Sequence, residues 1–148
     1  MTKKLRIALI GLGDIAQKAY LPVVANHPKV TPILCTRNKT ILTQLADQYR
    51  IDDTYDSLAA LIKAKPDAIM IHSATSSHFD MAKQSLEAGI AVFVDKPMSY
   101  TLAECEQLTA LSDAKNQIVR ENPVSDRYPV SAIINQNRIP VLIYLLEA

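Results

Sequence analysis

The sequence predicts an α/β protein built on a doubly wound parallel sheet, and three observations lead there. Short β-branched runs alternate along the chain with longer stretches of helical period, the pattern of repeated βαβ units. A Gly11-Leu12-Gly13 turn stands between the first predicted strand and the first predicted helix. The 148 residues are 49% apolar and 21% charged, which suits one ordinary globular domain with a buried core.

Each element has a local reason. Leu5–Ile10 reads as the first strand, and residues 14–25 as a helix in which Pro22 predicts a kink or an early end. Residues 30–36 read as a second strand, 40–49 as a second helix, and 57–62 as a short helix after the turn-like Asp52-Asp53. Ala68–Ile71 is a short buried strand. Ser77-His78-Phe79-Asp80 matches a capping box, with Asp in place of Glu, for a helix that ends at Gly89 in the C′ position. Residues 91–94 form another strand, and Thr101-Leu102-Ala103-Glu104 caps a helix reaching about Ala114. Parallel strands need crossover helices, so the sheet is expected to be covered on both faces.

The pattern fails from Gln117 onward. Residues 120–137 hold Pro123, Pro129 and no clear period, and only residues 141–145 recover a strand-like run. Residues 1–117 are therefore read as one dinucleotide-binding domain. Residues 118–148 are read as a divergent tail, the start of a truncated second domain, with self-association or disorder expected beyond about residue 118 because an apolar strand without its sheet exposes an edge.

Composition excludes several classes. Sixteen Lys and Arg are scattered against 15 Asp and Glu, so no basic stripe exists to bind nucleic acid. The longest apolar run, residues 141–146, falls far short of the ~20 residues that span a bilayer. Lys3, Lys4 and the apolar residues 7–12 imitate a secretory signal, but Asp14 and the lack of a small-residue cleavage site argue against one. Cys35 and Cys105 have neither metal-ligand nor disulfide-scaffold spacing, so buried or half-buried thiols in a reducing cytoplasm and no metal are expected.

The first turn carries chemistry. In Gly11-Leu12-Gly13-Asp14-Ile15-Ala16, Gly11 allows the tight turn, Gly13 lets the backbone approach a pyrophosphate, and small Ala16 lets the helix pack on the strand, as in Rossmann-type domains. Free N–H groups and the helix dipole would hold the phosphates, with Asp14 and Ile15 in the same turn. A chance Gly-x-Gly is the competing explanation, yet the chain has only three glycines and places two here. Asp14 can equally be a simple helix N-terminal acid. The second strand should end in an acid that accepts from the adenosine ribose; Cys35-Thr36-Arg37-Asn38 offers a hydroxyl and a guanidinium instead. Arg37 suits a 2′-phosphate, which favours NADP over NAD, the alternative being a solvated loop cation.

In such a sheet the ligand lies beyond the carboxyl ends of the strands, where the chain reads Ala74-Thr75-Ser76-Ser77-His78 and Asp95-Lys96-Pro97. Together with Gly11 to Ala16, these motifs closely resemble the Gfo/Idh/MocA family of NAD(P)-dependent oxidoreductases over residues 5 to about 116. The resemblance implies that Ala74, Thr75 and His78 lie along the cofactor toward the nicotinamide. It implies that Asp95-Lys96-Pro97 stands for the family's Glu-Lys-Pro, with Lys96 beside the nicotinamide and substrate hydroxyl and Pro97 following a cis peptide. An ammonium there can donate to the developing alkoxide or ketone oxygen during hydride transfer. Asp95 shortens the usual carboxylate arm by one methylene.

The resemblance also implies a second α/β domain whose helix brings an Asp and a His to the substrate, and this sequence has no counterpart of that pair. Arg127-Tyr128-Pro129 echoes a family stretch at the start of that domain. His72 ends a strand and suits a satisfied core histidine, and His27 lies in a turn far from the expected chemistry. Truncation, a frameshift near Gln117 or a deliberately isolated domain would each explain the shortfall. The expected function is NADP-dependent oxidation of a sugar or cyclitol hydroxyl, or reduction of the matching ketone, by a homo-oligomer in full-length form, the chain alone binding cofactor and turning over poorly. The rival is a non-catalytic NAD(P)-binding or regulatory module. A methyltransferase is disfavoured because Asp95-Lys96-Pro97 and the loop from Thr75 to His78 have no work there.

Overall fold

A computed structural model describes residues 3–122. Six parallel strands form one sheet in the order β3-β2-β1-β4-β5-β6: β1 (Leu5–Ile10), β2 (Val30–Cys35), β3 (Thr54–Tyr55), β4 (Ala68–Ile71), β5 (Ala91–Asp95) and β6 (Val119–Asn122). The chain winds outward in one direction from β1 to β3 and in the other from β4 to β6. The order therefore reverses between β1 and β4, and a crevice opens there at the carboxyl ends.

Alternate residues of β1 feed opposite faces. Ile7 and Leu9 pack with Tyr20, Leu21 and Val24 of the first helical stretch and with Leu45 of α2 (Lys39–Tyr49). Ala8 and Ile10 pack with Leu61 of α3 (Leu58–Lys63), Ala82 and Leu86 of α4 (His78–Glu87), and Leu108 of α5 (Leu102–Ala114). Strands buried on both faces explain the unbroken apolar runs that mark β1, β4 and β5 in the sequence.

The predicted elements recur with four differences. The first helix does not end at Pro22. A π-helical turn, Ala16–Tyr20, leads into α1 (Leu21–Asn26), where Pro22 sits in the first turn and the Leu21 amide donates to the carbonyl of Ala16. Pro22 has no N–H to offer, so the wider turn upstream absorbs the mismatch and the helix continues. Ser77 does not cap α4. It already has helical dihedrals in a 3-10 turn, Thr75–Ser77, and its hydroxyl donates 2.7 Å back to the Ala74 carbonyl. The two edge strands were not expected. β3 has two residues and thus no period, and β6 has a single strongly apolar residue, Val119. β6 carries the sheet beyond residue 117, to Asn122, and the self-association or disorder expected of the rest of the tail falls outside the described residues. The expected strand at residues 141–145 and Arg127-Tyr128-Pro129 lie outside the described residues.

Two helix ends follow the sequence closely. Gly89, at φ 77°, closes α4 with Gly89 N donating to Leu86 O at 2.9 Å and Ile90 N to Ser85 O at 3.0 Å. Thr101 Oγ1 accepts from Glu104 N at 3.2 Å and starts α5, while the Glu104 carboxylate accepts a hydrogen bond from Ser99 Oγ.

Candidate dinucleotide site

The glycine turn leaves β1 at Gly11, whose φ of 85° is open to glycine at little cost. A Cβ there would stand 2.5 Å from Ser73 N, so glycine also lets the β1 turn lie backbone to backbone on the β4 turn. Gly13 differs. A Cβ at Gly13 would meet no atom of the described residues within 4 Å. Protein packing thus gives no reason for glycine there, and the space it leaves faces the N-terminus of the first helix. The Gln17 amide makes a helical bond to Gly13 O at 3.0 Å, and the N–H groups before it project from the helix start. Gln17 Nε2 braces the turn by donating 2.7 Å to Leu12 O. Ala16 is buried against the sheet as expected. Ile15 is 57% exposed, a large apolar side chain held out at the mouth of the turn. Asp14 pairs with Lys18 at 3.4 Å on the exposed face, a contact worth little in water.

Beside this turn opens a cleft of about 470 Å³. Gly11, Thr36, Arg37 and Ala74 line it, as the sequence suggested, and so do Asn38, Asp56, Ser57, Ser73 and Met81, which it did not. Asn38 caps α2, its Oδ1 accepting from Ile41 N at 3.1 Å. The buried thiol of Cys35 forms part of the wall and is pushed up to about 11, first by burial and then by the Asp56 carboxylate.

The remaining expected residues surround the ends of β4 and β5. Thr75 lies in the 3-10 turn. His78 is 1% exposed and turned away from the cleft, with Nδ1 2.8 Å from Pro97 O and Nε2 2.8 Å from Ser73 O. A neutral ring donates to one of these carbonyls at a time, the charged ring to both. Its place in the structure is that of a staple between two loops rather than a lining residue. Lys96 and Pro97 are exposed and joined by a cis peptide bond. Asp95 is held from inside: His72 Nδ1 donates to Asp95 Oδ2 at 2.9 Å, and the His72 side chain is fully buried. The His72 ring stacks on Tyr20 at 4.4 Å, and burial together with the Asp95 charge pushes the Tyr20 hydroxyl far up. His72 is thus only half satisfied, since its Nε2 has no partner among the described residues. Sequence patterns do not reveal this pair, because it joins neighbouring strands 23 residues apart. Among the described residues no group of three His, Cys, Asp or Glu side chains is placed to hold a metal, and no helix is long and apolar enough to cross a membrane.

A parallel sheet with a reversal at β1/β4, a glycine turn at that reversal and a cleft over the end of β2 defines a dinucleotide-binding domain. Residues 5–122 match the family model GFO_IDH_MocA, described as an oxidoreductase family with an NAD-binding Rossmann fold, and the chain belongs to that family. YceM of Salmonella typhimurium, which carries an oxidoreductase name, is 40% identical over 116 residues, covering 76% of this chain and 36% of its own length. A Gfo/Idh/MocA family oxidoreductase from Vibrio cholerae superposes with a TM-score of 0.77 at 45% identity, covering 80% of this chain and 38% of its own. A Streptomyces antibioticus protein named dTDP-3,4-didehydro-2,6-dideoxy-alpha-D-glucose 3-reductase is 26% identical, covering 80% of this chain and 37% of itself. The chain thus spans little more than a third of the length of these relatives.

Proposed function

We propose that this chain is the cofactor half of an NADP-dependent oxidoreductase that, in full-length form, moves a hydride to or from a sugar or cyclitol hydroxyl or ketone. The observation that carries the cofactor reading is the cleft in which Thr36 and Arg37 face Gly11 and the loop after β4. A side chain at Gly13 would meet no atom of the described residues, so packing among them does not ask for glycine there, which supports a ligand approaching that turn. The name of the Streptomyces antibioticus relative supports a sugar substrate.

When bound, the nicotinamide supplies or accepts the hydride. The chain's own residues do the rest. Amides of the turn from Gly11 to Ala16 and the helix N-terminus hold the phosphates. The planar fork of Arg37 suits a 2′-phosphate, with NAD the weaker alternative. Ala74 and Thr75 border the extended cofactor. Lys96 is the catalytic residue in this reading, donating a hydrogen bond to the substrate oxygen as negative charge develops on it, and Asp95, gripped by His72, fixes the strand end from which Lys96 projects. In this reading the substrate domain lies outside residues 5–122, which the cofactor fold occupies.

Calorimetric titration of the purified chain with NADPH and NADH tests this, and it suits a protein with no tryptophan. Micromolar NADPH binding that weakens at least tenfold in Arg37→Asp is the expected result. Failure of both nucleotides to bind, or an Arg37→Asp variant that holds NADPH as well as the parent, overturns it.

A further inference from the structure

We infer that Asp56 supplies, from the turn after β3, the ribose-reading carboxylate that the end of β2 lacks, so that the cleft carries two opposed readers, Asp56 for an unphosphorylated ribose and Arg37 for a 2′-phosphate. The inference rests on the cofactor reading above and deepens it.

Register places Asp56. β2 and β3 pair Leu34 with Thr54 and Cys35 with Tyr55, and Thr36 N donates to Tyr55 O at 3.2 Å. Thr36 follows the last residue of β2 and Asp56 the last residue of β3, so both stand just past the carboxyl ends of two paired strands. In a doubly wound sheet the ribose is read at the carboxyl end of the second strand, and in the order β3-β2-β1-β4 Asp56 stands next to that end on the side away from β1. Both Arg37 and Asp56 line the cleft, and both are exposed. The Asp56 charge reaches the Cys35 thiol at the tip of β2, adding to burial in pushing it up.

Opposite charges in one cleft usually neutralise each other, yet no ion pair joins Arg37 and Asp56, and neither has a side-chain hydrogen bond among the described residues. Asp53, three residues before Asp56, is committed elsewhere, to Arg6 at 3.1 Å. A cleft that keeps a carboxylate and a guanidinium apart suits a ligand that brings hydroxyl donors to one and an anion to the other. The carboxylate accepts from a ribose hydroxyl and repels a phosphate; the guanidinium does the reverse. The sequence-based search for an acid at the end of β2 missed this residue because the carboxylate comes from the turn after the adjacent strand.

The test is calorimetry with NADH and NADPH on the parent chain and on Asp56→Asn and Asp56→Ser, at low and high salt. The expected result has two signs: NADH binding weakens and NADPH binding tightens, each roughly three- to tenfold at low salt, with the NADPH gain shrinking as salt screens the charge. Both affinities unchanged, or both shifted in the same direction, would overturn the inference. If Arg37→Asp weakens NADPH binding while the Asp56 variants do nothing, this inference alone falls; if the parent binds neither nucleotide, the cofactor reading falls and takes it along.

Discussion

Gly11 and Gly13 are two positions apart and are glycine for different reasons. At Gly11 both φ and the Ser73 backbone exclude a side chain, so Gly11→Ala is expected to cost more than ~2 kcal/mol of stability in urea unfolding. At Gly13 neither constraint holds. Gly13→Ala should leave stability within ~0.5 kcal/mol of the parent while raising the dinucleotide Kd at least tenfold, because the new methyl group enters only the ligand's space. A Gly13→Ala chain that binds as before would remove the pyrophosphate from this turn. The placing of these glycines at the first turn, and of Thr36 and Arg37 at the cleft, was legible in the sequence because it depends on position relative to one strand. The places of Asp56 and Ser73 in the cleft wall and the His72–Asp95 pair were not, since each arises only when separate strands are brought side by side.

Among the elements, the two capping boxes read from the sequence part company. Thr101 caps α5 through its hydroxyl, so Thr101→Ala is expected to lower stability by ~1 kcal/mol in thermal or urea melts. Ser77 makes no cap bond, and its hydroxyl serves the Ala74 carbonyl and Ser73 Oγ instead. The Ser-x-x-Asp pattern at residues 77–80 does not reveal the 3-10 turn already under way, which gives Ser77 helical dihedrals and turns its side chain from the helix start. Helices α2, α4 and α5 and strands β1, β2, β4 and β5 were readable because each carries its own period or cap. β3 and β6 are too short or too polar to leave a pattern. They are held by backbone pairing to β2 and β5, an interaction that composition does not record.

For the whole molecule, burial of ionisable groups fixes how stability responds to pH. The Cys35 thiol titrates near 9 when unfolded and at about 11 when folded, so above pH 9 the unfolded chain releases a proton that the native one keeps. Stability from this group is complete below pH 9 and is lost as pH rises from 9 through 11; Tyr20, shifted upward by burial and by Asp95, extends the loss to higher pH. Urea midpoints at pH 8, 9.5 and 10.5 should fall in that order, and Cys35→Ser should flatten the lower part of the fall. The same burial should make Cys35 resist alkylation at pH 8 while the half-buried Cys105 reacts.

The close approach of Gly11 to Ser73 has a thermodynamic meaning. Gly11 lies on Ser73, the Ser73 carbonyl meets His78 Nε2, and His78 Nδ1 meets the Pro97 carbonyl. Three loops from three strands are thereby joined into one rim before any ligand arrives. A ligand entering such a rim orders little that is not already ordered, so the entropic penalty of association is low and more of the contact energy remains as affinity.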